Sequence, residues 1–128
     1  MKFLAFAAAA VFAAGAALAD PVEGVWQTQP DEGSYAHVKM APCGGGKVCG
    51  KITRTFNNSG EYKSPNIGKT LVINMQPQGG GKYEGKVWQP AKDRIFLGKM
   101  ALNGNRLQLS GCVAGGLICK NQTWARIQ

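Results

Sequence analysis

Residues 99–110 read KMALNGNRLQLS, two short apolar runs separated by Asn103-Gly104. In the second run Leu107 and Leu109 alternate with polar residues, the period-two pattern of a strand that buries one face. Asn-Gly suits a two-residue hairpin turn because both positions tolerate the positive φ that such a turn needs. The stretch therefore predicts an antiparallel β-hairpin.

The same alternation recurs elsewhere in the chain. Residues 36–40 follow Ala-x-Val-x-Met and residues 71–75 follow Leu-x-Ile-x-Met. Turn-forming glycine and proline occur 18 and six times, and no stretch keeps a helical period. Eight strands are predicted: 24–28, 35–41, 47–56, 71–76, 82–89, 94–102, 106–110 and 123–127.

Eight strands joined by turns, with no crossover helix, predict an all-β fold, a small antiparallel up-and-down β-barrel. Closure removes the exposed edges that would otherwise pair with other chains. Gly24 and Trp26 lie in the first strand and Trp124 and Arg126 in the last, and these two strands pair in such a barrel. We expect these four residues to close it, with the arginine stacked on an aromatic ring. The pair Gly-x-Trp and late Arg resembles the lipocalin signature.

The four cysteines, Cys43, Cys49, Cys112 and Cys119, predict two disulfides. Their C-x5-C and C-x6-C spacings differ from the C-x2-C of zinc ribbons, so no metal site is expected. Three connectivities are possible. Each sequential pair flanks a glycine-containing turn, where a hairpin would set the two cysteines opposite each other. This favours Cys43–Cys49 and Cys112–Cys119 over the two long-range alternatives.

The N-terminus has the features of a cleaved signal peptide, assigned to residues 1–19. Lys2 precedes an uncharged apolar stretch, Phe3 to Leu18, and Ala17-Leu18-Ala19 supplies the small-x-small cleavage pattern. The apolar stretch is shorter than a membrane span of about 18 or more residues. We therefore expect export to the periplasm or beyond, a protein that does not span the membrane, and one mature domain at 20–128.

The chain is basic, with a net charge of +8 that becomes +7 without Lys2. A basic surface favours anionic partners such as phospholipid head groups, polyanionic glycans or an acidic protein, although it can also serve solubility alone. The lysines are scattered and form no block or basic helix. An anionic envelope component or a protein remains a possible partner, and nucleic acid is not expected.

Four stretches together resemble the DUF2147 family of uncharacterised exported bacterial proteins. They are Gly24-Val25-Trp26, the block CGGGKVCGKI at 43–52, Gly80 to Pro90 with its Gly-Lys-Val-Trp-x-Pro ending, and Gly111 to Arg126 with its Gln-Thr-Trp-x-Arg ending. The resemblance spans nearly all of the mature chain and implies a lipocalin-like barrel outside the cytoplasm. It implies no activity. Where the family usually has Asp-Pro after a Tyr, this chain has Trp88-Gln89-Pro90.

No catalytic residue is predicted, and no cofactor. His37 is the only histidine, it falls on the polar side of its strand, and no motif marks a nucleophile beside it. Asp31 and Glu32 are adjacent in a turn sequence, which does not suit a carboxylate pair flanking a bond. Gly68-Lys69-Thr70 lacks the first glycine of a phosphate loop, since position 63 is lysine.

Aromatic residues in most of the predicted strands could either line a cavity or fill the interior, because an eight-stranded barrel is at the size limit between the two. They are Trp26, Trp88, Trp124, Tyr35, Tyr62, Tyr83, Phe56 and Phe96.

Two functions follow from these alternatives. One is a non-enzymatic carrier or sensor that holds a small apolar or amphipathic molecule, with small residues facing inward at one end. The other is a protein- or envelope-binding module, such as a hydrolase inhibitor or surface adaptor. It would act through loops such as the irregular, polar segment Thr55 to Asn66 and a basic outer face.

Overall fold

The structure is a computed structural model that describes residues 19–128. The predicted signal peptide therefore lies, apart from Ala19, outside the described residues. No helix in the described part of the chain has the length and apolar character needed to cross a bilayer.

Nine antiparallel strands and one 3₁₀ turn make up the fold. The strands are β1 (Gly24–Gln27), β2 (Tyr35–Gly44), β3 (Lys47–Asn57), β4 (Gly60–Tyr62), β5 (Thr70–Gly79), β6 (Lys82–Gln89), β7 (Arg94–Asn103), β8 (Arg106–Val113) and β9 (Ile118–Arg126), and the 3₁₀ turn is Ala114–Gly116.

Eight of these strands close into the predicted barrel. Each of β1, β2, β3, β5, β6, β7, β8 and β9 pairs with the next, and β9 returns to β1. The two-residue pairing that closes the ring sets Trp26 opposite Arg126 and Gln27 opposite Ala125. β4 pairs only with β3 and lies outside the ring.

The barrel has two unlike ends. The β2–β3, β5–β6 and β7–β8 turns lie at one end together with residues 20–23 and 127–128, and we call it the closed end. The connections β1–β2, β3–β5, β6–β7 and β8–β9 lie at the other, the open end. The β7–β8 connection is a hairpin, as the sequence predicts, but its turn lies one residue later than expected: the turn residues are Gly104, at φ +63°, and Asn105, while Asn103 pairs with Arg106.

The predicted alternation holds in β2 and β8 and fails in β5. Val38, Met40 and Leu107 are buried in the core, as expected. In β5 the buried residues are Val72 and Met75, three positions apart, in place of the expected Leu71, Ile73 and Met75. Asn74 adopts φ +47° at an irregularity in the β5–β6 register, and the extra residue shifts the inward face.

Two strand boundaries also differ from the prediction. The segment expected to be irregular, 55–66, contains the end of β3 and all of β4. β9 begins at Ile118 instead of residue 123 because its polar first half pairs fully with β8, in a ladder that runs from Val113–Ile118 to Arg106–Ala125. Both boundaries are set by backbone pairing with the neighbouring strand, which cannot be read from the amino-acid composition.

The two local disulfides are confirmed. Cys112 lies opposite Cys119 in the β8–β9 ladder, with a Cα–Cα distance of 4.1 Å. Cys43 and Cys49 are bonded with their Cα atoms 5.7 Å apart, but they are not opposite each other. The partner of Cys49 is Ala41, because the β2 register shifts between Pro42 and Gly44 and leaves Cys43 in a bulge. The backbone N–H of Asn74 donates to Sγ of Cys49 at 3.3 Å.

Removal of the Cys112–Cys119 bridge by the double change Cys112→Ser and Cys119→Ser should lower the free energy of unfolding by about 2 kcal/mol. The reason is the loop entropy restored to the unfolded chain, and the loop is short, so the effect is modest. Urea unfolding followed by tryptophan fluorescence measures it. Cys43→Ser with Cys49→Ser, which opens a loop of nearly the same length, should cost a similar amount. An unchanged midpoint in both variants would contradict the staple role.

Candidate functional site

The closed half of the barrel is filled with side chains. Trp26 is fully buried there, and the thioethers of Met40, Met75 and Met100 are buried beside it. Methionine is flexible enough to fill irregular gaps, which suits a barrel interior where strands of different tilt meet. Tyr83 completes this packing at 4 % exposure. Large side chains therefore occupy the interior at this end.

Arg126 covers the outer side of the Trp26 ring. Its guanidinium carbon lies 4.5 Å from the ring centroid, and its nitrogens donate to the carbonyl oxygens of Glu23 and Pro21 at 2.8 and 2.5 Å. The Trp26 indole N–H donates to the Val22 carbonyl at 2.8 Å. The Arg126 side chain thus holds the segment before β1 in place over the closed end.

Gly24 lies where no side chain fits. Its φ is +130°, and a Cβ atom there would come within 2.3 Å of the Gln128 carbonyl oxygen. That oxygen accepts a hydrogen bond from the Val25 N–H at 2.9 Å. Trp124, the fourth residue of the predicted closure set, is buried in the core, and its indole N–H donates to Gln122 Oε1 at 2.9 Å.

Asp20 joins the closed end through Tyr83. The Tyr83 hydroxyl donates a short hydrogen bond to Asp20 Oδ1, which also accepts from the Val22 N–H at 2.9 Å. Burial, and then the hydrogen bond to Asp20, raise the pKa of Tyr83 above the ordinary value for a phenol. The tyrosine is therefore neutral and serves as a donor that holds the N-terminal segment in place.

The open half contains a cavity of about 560 Å³. Its floor consists of buried core residues, namely Ile52, Val87, Leu109 and Trp124. Its walls are the half-buried apolar residues Ala36, Leu71, Trp88 and Phe96, together with Gly111. The aromatic residues therefore divide between the two predicted roles: Trp26 and Tyr83 fill the closed half, and the other six line the cavity.

Charge is confined to the rim of this cavity. The charged residues that line it are Asp31, Lys92 and Lys120, and all three are exposed. Three further cations lie over cavity aromatics: the Lys69 ammonium is 5.5 Å from the Trp88 ring, and the Arg94 and Arg54 guanidinium groups are each 5.4 Å from the Phe96 and Phe56 rings, respectively. The site thus has an uncharged interior and a mouth in which cations predominate.

A family model described as "Uncharacterized protein conserved in bacteria (DUF2147)" matches residues 24–126. The chain belongs to the DUF2147 family. This match covers the whole barrel and confirms the resemblance carried by the cysteine blocks and the Trp-x-Arg ending.

Comparison with solved structures finds the crystal structure of fatty-acid-binding protein 1 from Echinococcus granulosus. The two chains are 13% identical with a TM-score of 0.48, and the alignment covers 84% of the DUF2147 chain and 98% of the other. A search of curated proteins finds no match.

The segment 55–66 of this DUF2147 protein is part of the cavity wall, not a free loop. The Thr55 hydroxyl donates to the Tyr62 carbonyl at 2.6 Å and accepts from the Ser64 N–H at 3.3 Å. Thr55, Tyr62 and Ser64 all line the cavity. The predicted anchoring loop is therefore held against β3 by hydrogen bonds.

His37 lies outside the cavity, on the outer face of β2. Its ring packs 4.7 Å from Phe56, and Nε2 lies 3.3 Å from Gln27 Oε1. Burial, and then the nearby Arg54, lower the pKa of His37, while Glu61 opposes the change. Arg54 itself pairs with Glu61 at 2.5 Å. The cluster is an aromatic and ionic patch, and within residues 19–128 no group of His, Cys, Asp and Glu converges to hold a metal ion.

Sequence reasoning missed Gly111, although the pattern contained it. Leu107 and Leu109 face the core, so period two also places Gly111 inward. A Cβ there would lie 3.5 Å from Val87 Cγ2, an ordinary contact. Glycine at this position leaves cavity volume that a larger residue would occupy.

Gly24→Ala should destabilise the barrel by about 2 kcal/mol more than Gly60→Ala. Both positions have positive φ, +130° and +112°, so both variants carry backbone strain. Only at Gly24 must the new methyl displace Gln128, which breaks hydrogen bonds to Val25 worth about 1 kcal/mol each. Urea unfolding of both variants measures the difference. Equal losses would mean that the close approach at Gly24 does not stabilise closure.

Proposed function

We propose that this protein is an exported, non-enzymatic binding protein that holds a small amphipathic molecule in the open-end cavity. One observation carries the proposal: a cavity of about 560 Å³ with an apolar interior and charge only at its rim. Ligand pockets of roughly 300–1,000 Å³ with mostly apolar linings are typical of small-molecule sites. Of the described residues that line it, none is a histidine.

The lining favours one orientation of the ligand. The apolar part would rest on the floor formed by Leu109 and Trp124, since a charged group there would lose its hydration without gaining a partner. The polar part would remain at the mouth, within reach of Lys92 and Lys120. A molecule with a tail and a polar or anionic end matches this distribution better than a uniformly polar one.

Export to the periplasm is part of the proposal. The two disulfides suit an oxidising compartment. Asp20 N lies 3.0 Å from Glu23 Oε2. If the leader is cut after Ala19, that nitrogen becomes an ammonium group, and its hydrogen bond to Glu23 becomes an ion pair at the closed end. The intact mass of the periplasmic protein should therefore correspond to a chain that begins at Asp20, and any other start would contradict the cleavage site.

Native mass spectrometry of the protein purified from its own periplasm tests the ligand. We expect a native mass above the polypeptide mass, with the excess lost on denaturation, because a cavity of this size that faces water would retain an amphipathic molecule. A bare polypeptide mass, with no uptake of added amphiphiles, would overturn the proposal.

A substitution inside the cavity makes the test specific. Gly111→Leu should lower ligand occupancy at least about tenfold, since its side chain extends into the space beside Val87 and Phe96. Gly111→Ala is the matched control, because its methyl makes only ordinary contacts and leaves most of the cavity open. Displacement of a fluorescent amphiphile measures both. Equal binding by the two variants would place the ligand elsewhere.

A second function, envelope binding through loops, is supported by a different observation, the apolar side chains exposed at the open end.

A further inference from the structure

The most exposed large apolar side chains of the described chain cluster on one half of the open end. Leu117, Ile118 and Ile95 are 87%, 65% and 59% exposed, and Val113 is 46% exposed. We call these four residues the apolar rim. Leu117 is in the β8–β9 connection, Val113 and Ile118 are the strand residues that flank it, and Ile95 is the second residue of β7.

These residues are neighbours in space because of the strand order. β7 lies between β6 and β8, so the β6–β7 and β8–β9 connections are adjacent along the open end. The turn at Ala114–Gly116 also folds onto the outer face of β7, where a Cβ at Gly116 would lie 3.4 Å from Leu97 Cδ2. The apolar rim is therefore one continuous edge of the barrel mouth.

The Cys112–Cys119 disulfide restrains this edge. It closes the base of the connection that carries Val113, Leu117 and Ile118. A loop stapled at its base has little freedom to turn its apolar residues inward and bury them. Contiguous exposed apolar surface of this kind marks an interaction site in a protein that is otherwise soluble.

The charges beside the apolar rim are mainly positive. Lys92 is in the β6–β7 connection, and Arg94 and Lys120 are at the starts of β7 and β9. The acid beside them, Asp93, accepts a hydrogen bond from the Trp88 indole at 2.8 Å. The acidic pair of the open end, Asp31-Glu32, lies on the β1–β2 connection instead. The apolar half of the mouth is thus also its cationic half.

We propose that the apolar rim docks on an anionic bilayer surface, with the aliphatic side chains inserted at the interface and the three cations next to the head groups. Aliphatic tips flanked by lysine and arginine are the combination that binds such interfaces, since burial of apolar area and attraction to anionic lipid add. The cavity opens beside the docked edge, because Val113 and Ile118 belong to both. The docking itself does not depend on the cavity holding a ligand.

Vesicle flotation with the mature protein tests the docking. Vesicles that contain phosphatidylglycerol should bind the protein, and vesicles of phosphatidylcholine alone, or high salt, should reduce the binding about tenfold or more because the cations lose their partners. Absence of binding to phosphatidylglycerol vesicles, or binding that is equal on both lipids, would overturn the proposal.

The variant with Ile95→Ser and Leu117→Ser isolates the apolar rim, since neither residue lines the cavity. It should partition onto phosphatidylglycerol vesicles about tenfold more weakly than the wild type. Ile127→Ser is the matched control, with an aliphatic side chain that is 44% exposed at the closed end, and it should bind as the wild type does. Undiminished binding by the double variant, or an equal loss in the control, would show that the apolar rim does not account for vesicle binding and would overturn the proposal.

Gly111→Leu separates this proposal from the cavity hypothesis. It should bind vesicles as the wild type does even though its cavity is reduced, because Gly111 is not exposed at the rim. Loss of vesicle binding in this variant, with its fold intact by circular dichroism, would contradict docking through the apolar rim.

Discussion

Closure of the barrel rests on a short strand pairing, the two residue pairs between β1 and β9 and, next to them, the backbone hydrogen bonds of Val25 with Ile127 and Gln128. So short a ladder needs support from side chains, and Arg126 supplies it by stacking on Trp26 and donating to the carbonyls of Glu23 and Pro21. Because these carbonyls belong to the segment before β1, the same contacts draw that segment across the end of the barrel. The same contacts of Arg126 therefore support the closure of the sheet and the covering of the barrel end.

The cavity follows from this arrangement. An eight-stranded barrel has an interior that side chains can just fill, so the sizes of the inward residues decide where space remains. Inward positions near the closed end carry tryptophan, methionine and tyrosine, whereas Ala36 and Gly111 face inward near the open end. Large residues at one end and small residues at the other leave an opening on a solid floor, the geometry of a site for one small molecule.

Much of this could be predicted from the sequence where local rules decide the outcome. Alternation in β2 and β8 predicted strands, the Asn103-Gly104 pair predicted a hairpin whose turn lies one residue later, and the cysteine spacing predicted the disulfides. The bulges at Asn74 and Cys43 could not be predicted, because the partner strand determines where an extra residue is accommodated. The sequence left open whether the interior is filled or holds a cavity, although extending the alternation of β8 by one step would have placed Gly111 inward. The volume of the cavity depends on the inward side chains of all eight strands together, and the sequence of one strand does not show it.

The open end combines two features that a solitary soluble barrel does not need. Leu117 and Ile95 could be polar without loss to the core, since neither contributes to the cavity or to the buried cluster. The disulfide at the base of the β8–β9 connection restricts the freedom of Leu117 to become buried. If the cavity holds an amphipathic molecule and the apolar rim docks on a bilayer, the molecule would pass between bilayer and barrel with little exposure of its tail to water. Each step of such a transfer would avoid the unfavourable hydration of the apolar tail.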